Sequence, residues 1–396
     1  MRDGFVPRPE SAPWRQWGTG LDASAVEQMV NACGLPVAVR GALMPDAHVG
    51  YGLPIGGVLA TRNAVIPYAV GVDIACRVKL SVYDLPVATI ESDPTPLKRA
   101  IEVETRFGIG AAFKNRRDHD VMDEDWSVTE TTLRNKDKAW AQLGTSGSGN
   151  HFVEFGAFRV DHDALGIPAG DYLALLSHSG SRGTGASVAA HYSKLARTLH
   201  PELPKELAQL AWLDLDSEEG REYWDAMQLM GKYAAANHAL IHRHIARTLG
   251  ARVILDVENH HNFAWREVHD GKEVVVHRKG ATPAAAGVLG VIPGSMATPT
   301  YLVRGRGSEA SMSSAAHGAG RAMSRTQAKA TFAWPQVKKL LDERGVALMS
   351  AGLDEAPMAY KNIDEVMAAQ ADLVEMLASF SPRIVKMAEG GERPED

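Results

Sequence analysis

The sequence predicts an α+β fold of mixed strands and helices, and three observations support this prediction. Its 396 residues are 45% hydrophobic and 23% charged, which is typical of a globular protein with a large core. Short β-like runs bordered by glycine occur along the whole chain. Helical and strand-like patterns follow one another irregularly and do not alternate as βαβ units, which disfavours a doubly wound parallel sheet.

Twelve segments carry the pattern of a helix or a strand. Amphipathic helical spacing occurs at 23–33, 97–105, 131–143, 223–249 and 363–380. In the first of these, apolar residues recur at helical spacing up to Cys33, and Gly34 then ends the pattern. Apolar runs that predict strands occur at 58–61, 78–83, 152–155, 172–176, 253–257, 274–276 and 301–303.

The charge and cysteine content exclude several classes of protein. The net charge of −6 argues against a protein that coats nucleic acid non-specifically, although it permits a local basic groove. No long apolar run predicts a membrane span, and the first residues lack the apolar stretch of a signal peptide. Two cysteines, Cys33 and Cys76, are too few for a disulfide framework, so we expect a cytoplasmic protein.

Two basic clusters stand out in this acidic chain. They are Lys114, Arg116 and Arg117, and then Arg321, Arg325 and Lys329 at roughly helical spacing. A cluster of this kind is more often a solvated face than a binding site, so charge alone does not predict nucleic-acid binding.

Five segments place a metal-ligand type of side chain beside glycine or asparagine at the end of a β-like run. They contain Asp73 with Cys76, His151, His178, the pair His260 and His261, and His317. Carboxylate, imidazole and thiolate together suit manganese, zinc or cobalt, and distant strand ends indicate a catalytic site. Any one histidine is more often a packing or surface residue, but the shared context favours ligation. His238 and His242 lack a third ligand and are interpreted as packing or surface residues.

The most informative of these segments surrounds His317, which has small residues on both sides in Ala315-Ala316-His317-Gly318-Ala319-Gly320-Arg321. Its ring can stay open to a ligand, and glycine lets a phosphate approach the backbone. A helical pattern over 321–329 predicts a helix start nearby. The imidazole is a candidate metal ligand, acid–base group or nucleophile toward phosphorus, and an ordinary glycine-rich turn is the alternative.

Two further glycine-rich stretches, 44–52 and 292–298, have the composition of anion or nucleotide cradles. Neither matches a P-loop or a dinucleotide-binding fingerprint. From the residues alone, the chain is interpreted as a metalloenzyme that acts at phosphorus and has a candidate nucleotide site.

Taken in order, these segments resemble the RtcB-type RNA ligase family, also called 3′-phosphate or tRNA-splicing RNA ligases. The similarity runs from about Met44 to Lys386. It is carried by residues 44–48, 71–76, 147–154, 178–183, 261–262, 277–281, 292–296, 317–325 and 359–364. The resemblance implies one large domain over 1–387, with mixed sheets surrounded by helices and an active site of strand-end loops. An acidic tail, 388–396, follows and is expected to be disordered.

The resemblance also implies a reaction. GTP and two manganese ions would drive joining of an RNA 3′-phosphate, or of an opened 2′,3′-cyclic phosphate, to an RNA 5′-hydroxyl. His317 matches the histidine that forms a covalent GMP adduct, and the GMP then activates the RNA 3′-phosphate. The implied metal ligands are Asp73, Cys76, His151, His178 and His261, with Cys76 bridging. The implied guanylate contacts are Asn150, Glu154, Ser295, Met296, Gly318, Ala319, Gly320, Tyr360 and Lys386.

The chain departs from the family pattern at several positions. Arg77 stands where glycine is common, Ala297 where glycine is frequent, and Ala316 where cysteine is frequent. Ten residues follow Lys386, although the family typically ends with lysine and glycine. The alternative functions are a metal-dependent 2′,3′-cyclic phosphodiesterase and a catalytically inactive RNA-binding protein. The RNA joined, tRNA halves or other cleaved RNA, stays open, as do DNA capping, oligomeric state and activating partners.

Overall fold

The structure is a computed structural model that describes residues 5–163 and 165–391. Its strands are β1 Trp14–Gln16, β2 Ala38–His48, β3 Ile55–Thr61, β4 Ala64–Val65, β5 Arg77–Tyr83, β6 Phe152–Val160, β7 Gly170–Ser179, β8 Leu213–Asp214, β9 Val253–His260, β10 Asn262–His269, β11 Lys272–Lys279, β12 Ala281–Pro283, β13 Leu289–Ile292, β14 Thr300–Gly305, β15 Ser314–Ala316, β16 Ala347–Ser350 and β17 Val374–Met387. Its helices are α1 Ala23–Cys33, α2 Pro67–Val70, α3 Thr89–Ser92, α4 Thr95–Glu104, α5 Glu130–Gln142, α6 Arg182–Leu199, α7 Glu218–Leu249, α8 Arg325–Thr331, α9 Trp334–Glu343 and α10 Ile363–Ala369. Irregular mixing of the two types confirms the α+β prediction.

The largest sheet has eight strands in the order β13-β14-β17-β6-β7-β5-β9, with β16 beside β17. All its pairs are antiparallel except β16 with β17. The two ends of this order approach each other, because the Asn259 side chain of β9 accepts a hydrogen bond from the Val291 N–H of β13 at 2.7 Å. The sheet is therefore nearly closed, which leaves few unpaired edges.

Helix α7 covers one face of this sheet. Ile241 and Ile245 of α7 are fully buried and pack in one cluster with Tyr83, Leu173 and Phe155 of the strands. Burial of each aliphatic side chain contributes about 1.5–3 kcal/mol to folding. A rigid sheet with a helix behind it can hold side chains in fixed positions at its strand ends.

A second sheet of five strands, β1-β2-β3-β11-β10, lies beside the first, and β12 pairs with β15 in a short ribbon. The register of the large sheet brings the predicted ligand positions to one end. Arg77, the residue after Cys76, pairs with both Ser179 and His260. Phe152, the residue after His151, pairs with His178. Four separate chain segments thus deliver their ligand-type residues to a single edge.

The seven predicted strands and the first four predicted helices occur at the expected places, with ends shifted by a few residues. The fifth predicted helix, 363–380, is wrong beyond Ala369, because the chain then enters β17. β17 pairs with β14 on one side and β6 on the other, and this pairing overrides the local helical spacing. The helix predicted over 321–329 begins only at Arg325.

Two expectations concern the surroundings of the domain. Across the residues that the structure describes, no helix combines the length and apolar character needed to cross a membrane. Of the tail predicted at 388–396, residues 392–396 lie outside the described residues. Residues 388–391 are described and line a small hollow beside Asp354 and Glu355.

Candidate metal centre and nucleotide cavity

One cavity of about 700 Å³ opens at the strand ends described above. A volume of this size accommodates a small-molecule ligand such as a nucleotide. Its wall includes Asp73, Cys76, His178 and His261, and on another side His317 with the glycine-rich turn that follows it. The structure therefore brings the separately predicted metal and nucleotide segments into a single site.

The predicted metal ligands form two groups that share one thiol. Cys76, His178 and His261 make one group, and Asp73, Cys76 and His151 make the other, with ligand atoms within 4.8 Å of one another. The Cys76 Sγ lies 3.1 Å from His178 Nε2 and 3.4 Å from His151 Nε2. His178 Nε2 and His261 Nε2 are 3.2 Å apart. Two groups with a common sulfur are the arrangement that a thiolate bridging two cations requires.

Hydrogen bonds to the backbone set the orientation of two of the histidines. His151 Nδ1 lies 3.0 Å from the Ser146 carbonyl oxygen, and His178 Nδ1 lies 3.1 Å from that of Asn150. A carbonyl can only accept, so each Nδ1 carries a proton and each Nε2 faces the cluster. Metal-binding histidines are commonly held in this way by a carbonyl or carboxylate behind the ring.

The Asp73 carboxylate is positioned by a tight turn and a close neighbour. Ala75 has φ 58°, an unusual left-handed conformation that lets Asp73 and Cys76 face the same cluster. Asp73 Oδ1 accepts a hydrogen bond from the Ser181 N–H at 3.0 Å. A Cβ atom at Gly180 would lie only 2.0 Å from Asp73 Oδ2, so this position requires glycine. Gly180 is thus needed to leave room for the Asp73 carboxylate.

The protonation states of the cluster suit a metal. Burial lowers the pKa of His178 to about 3 and the pKa of His261 well below its ordinary value, so both rings are neutral at pH 7. Burial alone would raise the pKa of Asp73, but the hydrogen bond and charge of His151 outweigh it, and the pKa is lowered. His261 Nδ1 is buried and has no hydrogen-bond partner in the described part of the chain. Facing lone pairs, a buried carboxylate and a thiol fit divalent metal ions well.

His317 is held by a residue to which the sequence assigned no role. Its Nδ1 lies 2.7 Å from Asp46 Oδ2, and the same carboxylate oxygen accepts from the His317 backbone N–H at 3.1 Å. The Asp46 side chain is fully buried. The His317 ring centroid lies 4.9 Å from that of His261, which places it beside the metal group. Asp46 ends the Met44-Pro45-Asp46 stretch of β2, and only the tertiary fold shows this pairing.

The predicted nucleotide contacts fall into two sets. Asn150, Glu154, Ser295, Met296, Gly318, Ala319, Gly320 and Tyr360 all line the cavity. Glu154 is almost fully buried, and burial raises the pKa of its carboxyl well above the ordinary value. Lys386 does not line the cavity. Its neighbours Val385 and Met387 face inward, while its own Nζ lies 3.7 Å from Glu102 Oε1 on the other side of β17.

Two members of the second basic cluster, Arg321 and Arg325, lie at the same cavity, and acidic residues match all three of its charges. Arg321 donates to the Asp354 carbonyl oxygen at 2.7 Å, and Arg325 Nη1 lies 3.2 Å from Asp354 Oδ2. Arg325 also contacts Glu355, which accepts a hydrogen bond from the Tyr360 hydroxyl. Arg321 and Arg325 line the cavity beside His317. Sequence spacing identified these arginines but not their acidic partners 29–34 residues away.

The other histidines and the departure at Arg77 have structural explanations. His238 and His242 are buried in α7, and the Ser177 hydroxyl lies 2.8 Å from a ring nitrogen of each, which confirms the packing interpretation. His260 packs its ring against Phe263 and Trp265. The Arg77 guanidinium points to Glu258 Oε1 at 3.1 Å and to the Gly231 carbonyl oxygen of α7. Its charge is therefore matched by Glu258.

The chain is similar to known proteins over most of its length. The family model described as tRNA-splicing ligase RtcB matches residues 28–388. The chain is 34% identical to the RNA-splicing ligase RtcB of Escherichia coli strain K12, over 93% of this chain and 95% of that protein. It is 33% identical to RNA-splicing ligase RtcB1 of a second Escherichia coli strain, ATCC 25922, with the same coverage. It is 34% identical to the tRNA-splicing ligase RtcB of Methanococcus maripaludis, over 87% of each chain. The chain therefore belongs to the RtcB family.

Proposed function

We propose that this protein is a GTP- and manganese-dependent RNA ligase. It would join RNA ends that carry a 3′-phosphate or 2′,3′-cyclic phosphate to 5′-hydroxyl ends, in tRNA splicing or RNA repair. The observation that carries the proposal is the His317–Asp46 pair at 2.7 Å, set in the wall of a nucleotide-sized cavity beside a two-part ligand cluster. A hydrolase would need the ligand cluster, but it would not need a further histidine outside that cluster, held by a buried carboxylate as a nucleophile.

His317 is the proposed nucleophile. Asp46 accepts a hydrogen bond from Nδ1–H, so the lone pair of Nε2 is available to attack the α-phosphorus of GTP. The new Nε2–P bond forms as the bond from phosphorus to the bridging oxygen breaks, and pyrophosphate leaves with that electron pair. The proton stays on Nδ1, where the fully buried Asp46 stabilises the positive charge that the ring gains.

The proposed metal ligands are Asp73, Cys76, His151, His178 and His261, with Cys76 common to both groups. Two manganese ions held there would neutralise phosphate charge and polarise the reacting oxygens. The protein's own contribution is to hold neutral imidazoles and an ionised Asp73 in place. The backbone carbonyls behind His151 and His178 fix the two rings for this task.

Guanine would lie at the end of the cavity that Asn150, Glu154 and Tyr360 line. Burial raises the pKa of Glu154, and the N1–H and amino group of guanine would stabilise its ionised form by donating two hydrogen bonds, which adenine cannot offer in the same way. Gly320 has φ 70°, and a Cβ there would lie 2.1 Å from the Asp46 carbonyl oxygen, so glycine lets the turn close over β2.

Transfer of GMP from His317 to the RNA 3′-phosphate would create an activated RNA end. The 5′-hydroxyl of the second RNA then attacks that phosphorus, a phosphodiester bond forms, and GMP leaves. A phosphate monoester has a poor leaving group, and GMP supplies a better one. We further propose that 1–387 forms the ligase domain, with 388–396 as an acidic tail, and that the protein acts in the cytoplasm, where Cys76 would stay reduced.

Labelling with GTP tests this proposal directly. Incubation of the protein with manganese and GTP labelled at the α-phosphate should yield a covalently guanylylated chain that His317→Ala abolishes. Paired RNAs with 3′-phosphate and 5′-hydroxyl ends should then be joined. A wild-type protein that hydrolyses a 2′,3′-cyclic end without any GTP requirement and never labels would contradict the ligase proposal.

A further inference from the structure

The first basic cluster of the sequence is part of a larger surface that the cavity does not include. Arg106, Lys114, Arg116 and Arg117 come from the segment between α4 and α5, and Arg243 and Arg247 come from the last turns of α7. We call these six residues the arginine patch. In the described part of the chain, Arg116 and Arg117 have carboxylate partners, Asp137 and Glu104, and the other four basic residues have none. The patch is therefore an excess of positive charge on an acidic protein.

Aromatic rings organise the guanidinium groups of the patch. The guanidinium carbons of Arg106 and Arg117 lie 4.8 and 3.9 Å from the Phe113 ring centroid, and that of Arg116 lies 5.2 Å from Trp140. Stacking keeps each guanidinium plane fixed. The Arg106 Nη1 also lies within 3.1 Å of the Glu102, Val103 and Thr105 carbonyl oxygens, and the other two arginines pair with carboxylates, so these three side chains form a rigid cationic base. Interleaved arginine and aromatic residues are typical of surfaces that bind single-stranded nucleic acid.

Arg117 has one carboxylate partner, Glu104, which does not balance the positive charges around it. It is only 8% exposed, and its Nη1 is buried without a hydrogen-bond partner in the described part of the chain. Burial, together with the charges of Arg106, Arg247 and Arg243, lowers its pKa to about 10 despite the nearby Glu104. An anion that binds among these like charges reduces the repulsion between them.

One short segment, residues 144–150, connects the arginine patch to the proposed active site. The Arg117 side chain packs on Gly144, where a Cβ would come within 2.8 Å of Nη1. The Arg106 carbonyl oxygen accepts from the Ser146 N–H, and the Gly108 N–H donates to the Gly147 carbonyl oxygen. Three residues later this segment reaches Asn150 of the cavity and His151 of the ligand cluster. Seven residues span at most about 25 Å, so a single RNA strand can reach both places.

We propose that the arginine patch binds the phosphate backbone of substrate RNA and guides the reacting end into the cavity. This inference rests on the proposed RNA ligase function and extends it to a binding surface outside the metal and nucleotide sites. The exposed Lys114, Arg243 and Arg247 contact phosphates, while Arg106, Arg116 and Arg117 are held by Phe113, Trp140 and Glu104 as the fixed base of the surface.

The test uses the triple variant Lys114→Gln/Arg243→Gln/Arg247→Gln. A matched control, Arg62→Gln/Arg159→Gln/Lys272→Gln, removes the same charge from exposed positions on other elements. Binding of a single-stranded RNA of about 12 nucleotides with a 3′-phosphate is followed by fluorescence anisotropy between about 50 and 200 mM salt. We expect the patch variant to lose at least about tenfold in affinity and about 2 units of salt slope, because each phosphate contact contributes about 0.7.

Guanylylation with GTP and manganese, measured without RNA, separates the two proposals. It should be unchanged within twofold in both triple variants, which also shows that they are folded. Undiminished RNA affinity and salt slope in the patch variant, with a wild-type protein that labels and ligates, would overturn the arginine patch and leave the proposed function intact. A wild-type protein that binds RNA through the patch but never labels would overturn the proposed function instead.

Discussion

The Nδ1 of His317 and the Oδ2 of Asp46 lie 2.7 Å apart, although 271 residues separate them in the chain. Asp46 is fully buried, and its second oxygen, Oδ1, has no hydrogen-bond partner in the described part of the chain. The carboxylate is therefore placed to hold a proton on Nδ1, which leaves Nε2 free for the role proposed above. The same relationship of an acid behind an imidazole orients the histidine in serine hydrolases.

Asp46→Asn tests this relationship. The amide cannot both accept from the His317 backbone N–H and stabilise a positively charged ring, so the rate of guanylylation should fall at least about 100-fold. The measurement is the rate of His317 labelling by α-labelled GTP under single-turnover conditions. Asp270→Asn, at an exposed hairpin position, is the control and should label at the wild-type rate. Wild-type labelling by Asp46→Asn would show that the carboxylate has no part in the reaction.

Cys76→Ala should remove metal from both groups at once. Cys76 is the only residue common to them in the described part of the chain, and its sulfur lies within 3.4 Å of His151 Nε2 and His178 Nε2. Titration of the metal-free protein with manganese, followed by electron paramagnetic resonance, should show that both tight sites are lost. Cys33→Ala is the control, because Cys33 is buried in the core around α1. Retention of one tight site in Cys76→Ala would mean that the thiol does not bridge.

Gly180→Ala should weaken metal binding without a change in any ligand. The added Cβ would lie 2.0 Å from Asp73 Oδ2, so the carboxylate has to move from its place beside His151. Displaced supporting groups typically cost about 10- to 100-fold in metal affinity, and we expect a loss in that range. Gly290→Ala, whose Cβ would meet no atom closer than 3.6 Å, should bind manganese normally. Equal affinities in the two variants would contradict the placement of Asp73.

Stability should fall as the pH drops from about 6.5 to about 4, and His277 should account for part of the fall. His277 is buried, and burial lowers its pKa to about 4. In this window the unfolded chain binds a proton at this histidine and the folded chain does not, so lowering the pH favours unfolding. The full difference between this pKa and that of an ordinary histidine corresponds to about 3 kcal/mol of unfolding free energy. The stabilisation is present above pH 6.5 and is lost as the pH falls toward 4.

Urea unfolding of the metal-free protein at a series of pH values measures this effect. His277→Gln should show a smaller dependence of the unfolding free energy on pH than the wild type between about pH 4 and 6.5. The mutation also costs stability at every pH, because Nε2 accepts from the Ile66 N–H and Nδ1 contacts the Leu59 carbonyl oxygen. His162→Gln, at an exposed position, should leave the pH dependence unchanged. An unaltered slope in His277→Gln would assign the acid sensitivity to other groups.

Much of the candidate site could be predicted because its ligand-type residues share a local signature. Each stands at a strand end beside glycine or asparagine, and this pattern is visible within a few residues of sequence. The His317–Asp46 pair left no such signal, because the spacing of residues on one strand says nothing about a loop 271 positions away. The acidic partners of Arg321 and Arg325 were missed for the same reason.

The fold was predicted where local pattern and tertiary pairing agree. Segment 363–380 fails because its apolar spacing fits a helix, while β14 and β6 offer hydrogen-bonding partners on both sides of β17. The side of β17 on which the Lys386 side chain lies could not be predicted from the sequence either. Side chains alternate along a strand, so a shift of one residue in register decides whether Lys386 or Met387 faces the cavity.

Lys386→Ala therefore tests two different expectations for this lysine. The family resemblance implies that it contacts guanylate, whereas the structure places it outside the cavity. The Lys386 Nζ lies near Glu102 and the Phe107 ring, outside the cavity, so its removal should leave the KM for GTP in self-labelling within about twofold of wild type. Glu154→Gln should raise that KM at least about tenfold, because it would remove one buried acceptor from the proposed guanine contact. The measurement is the GTP dependence of labelling in both variants. A tenfold increase for Lys386→Ala would mean that the lysine turns into the cavity when GTP binds, and that it contacts guanylate as the family resemblance implies.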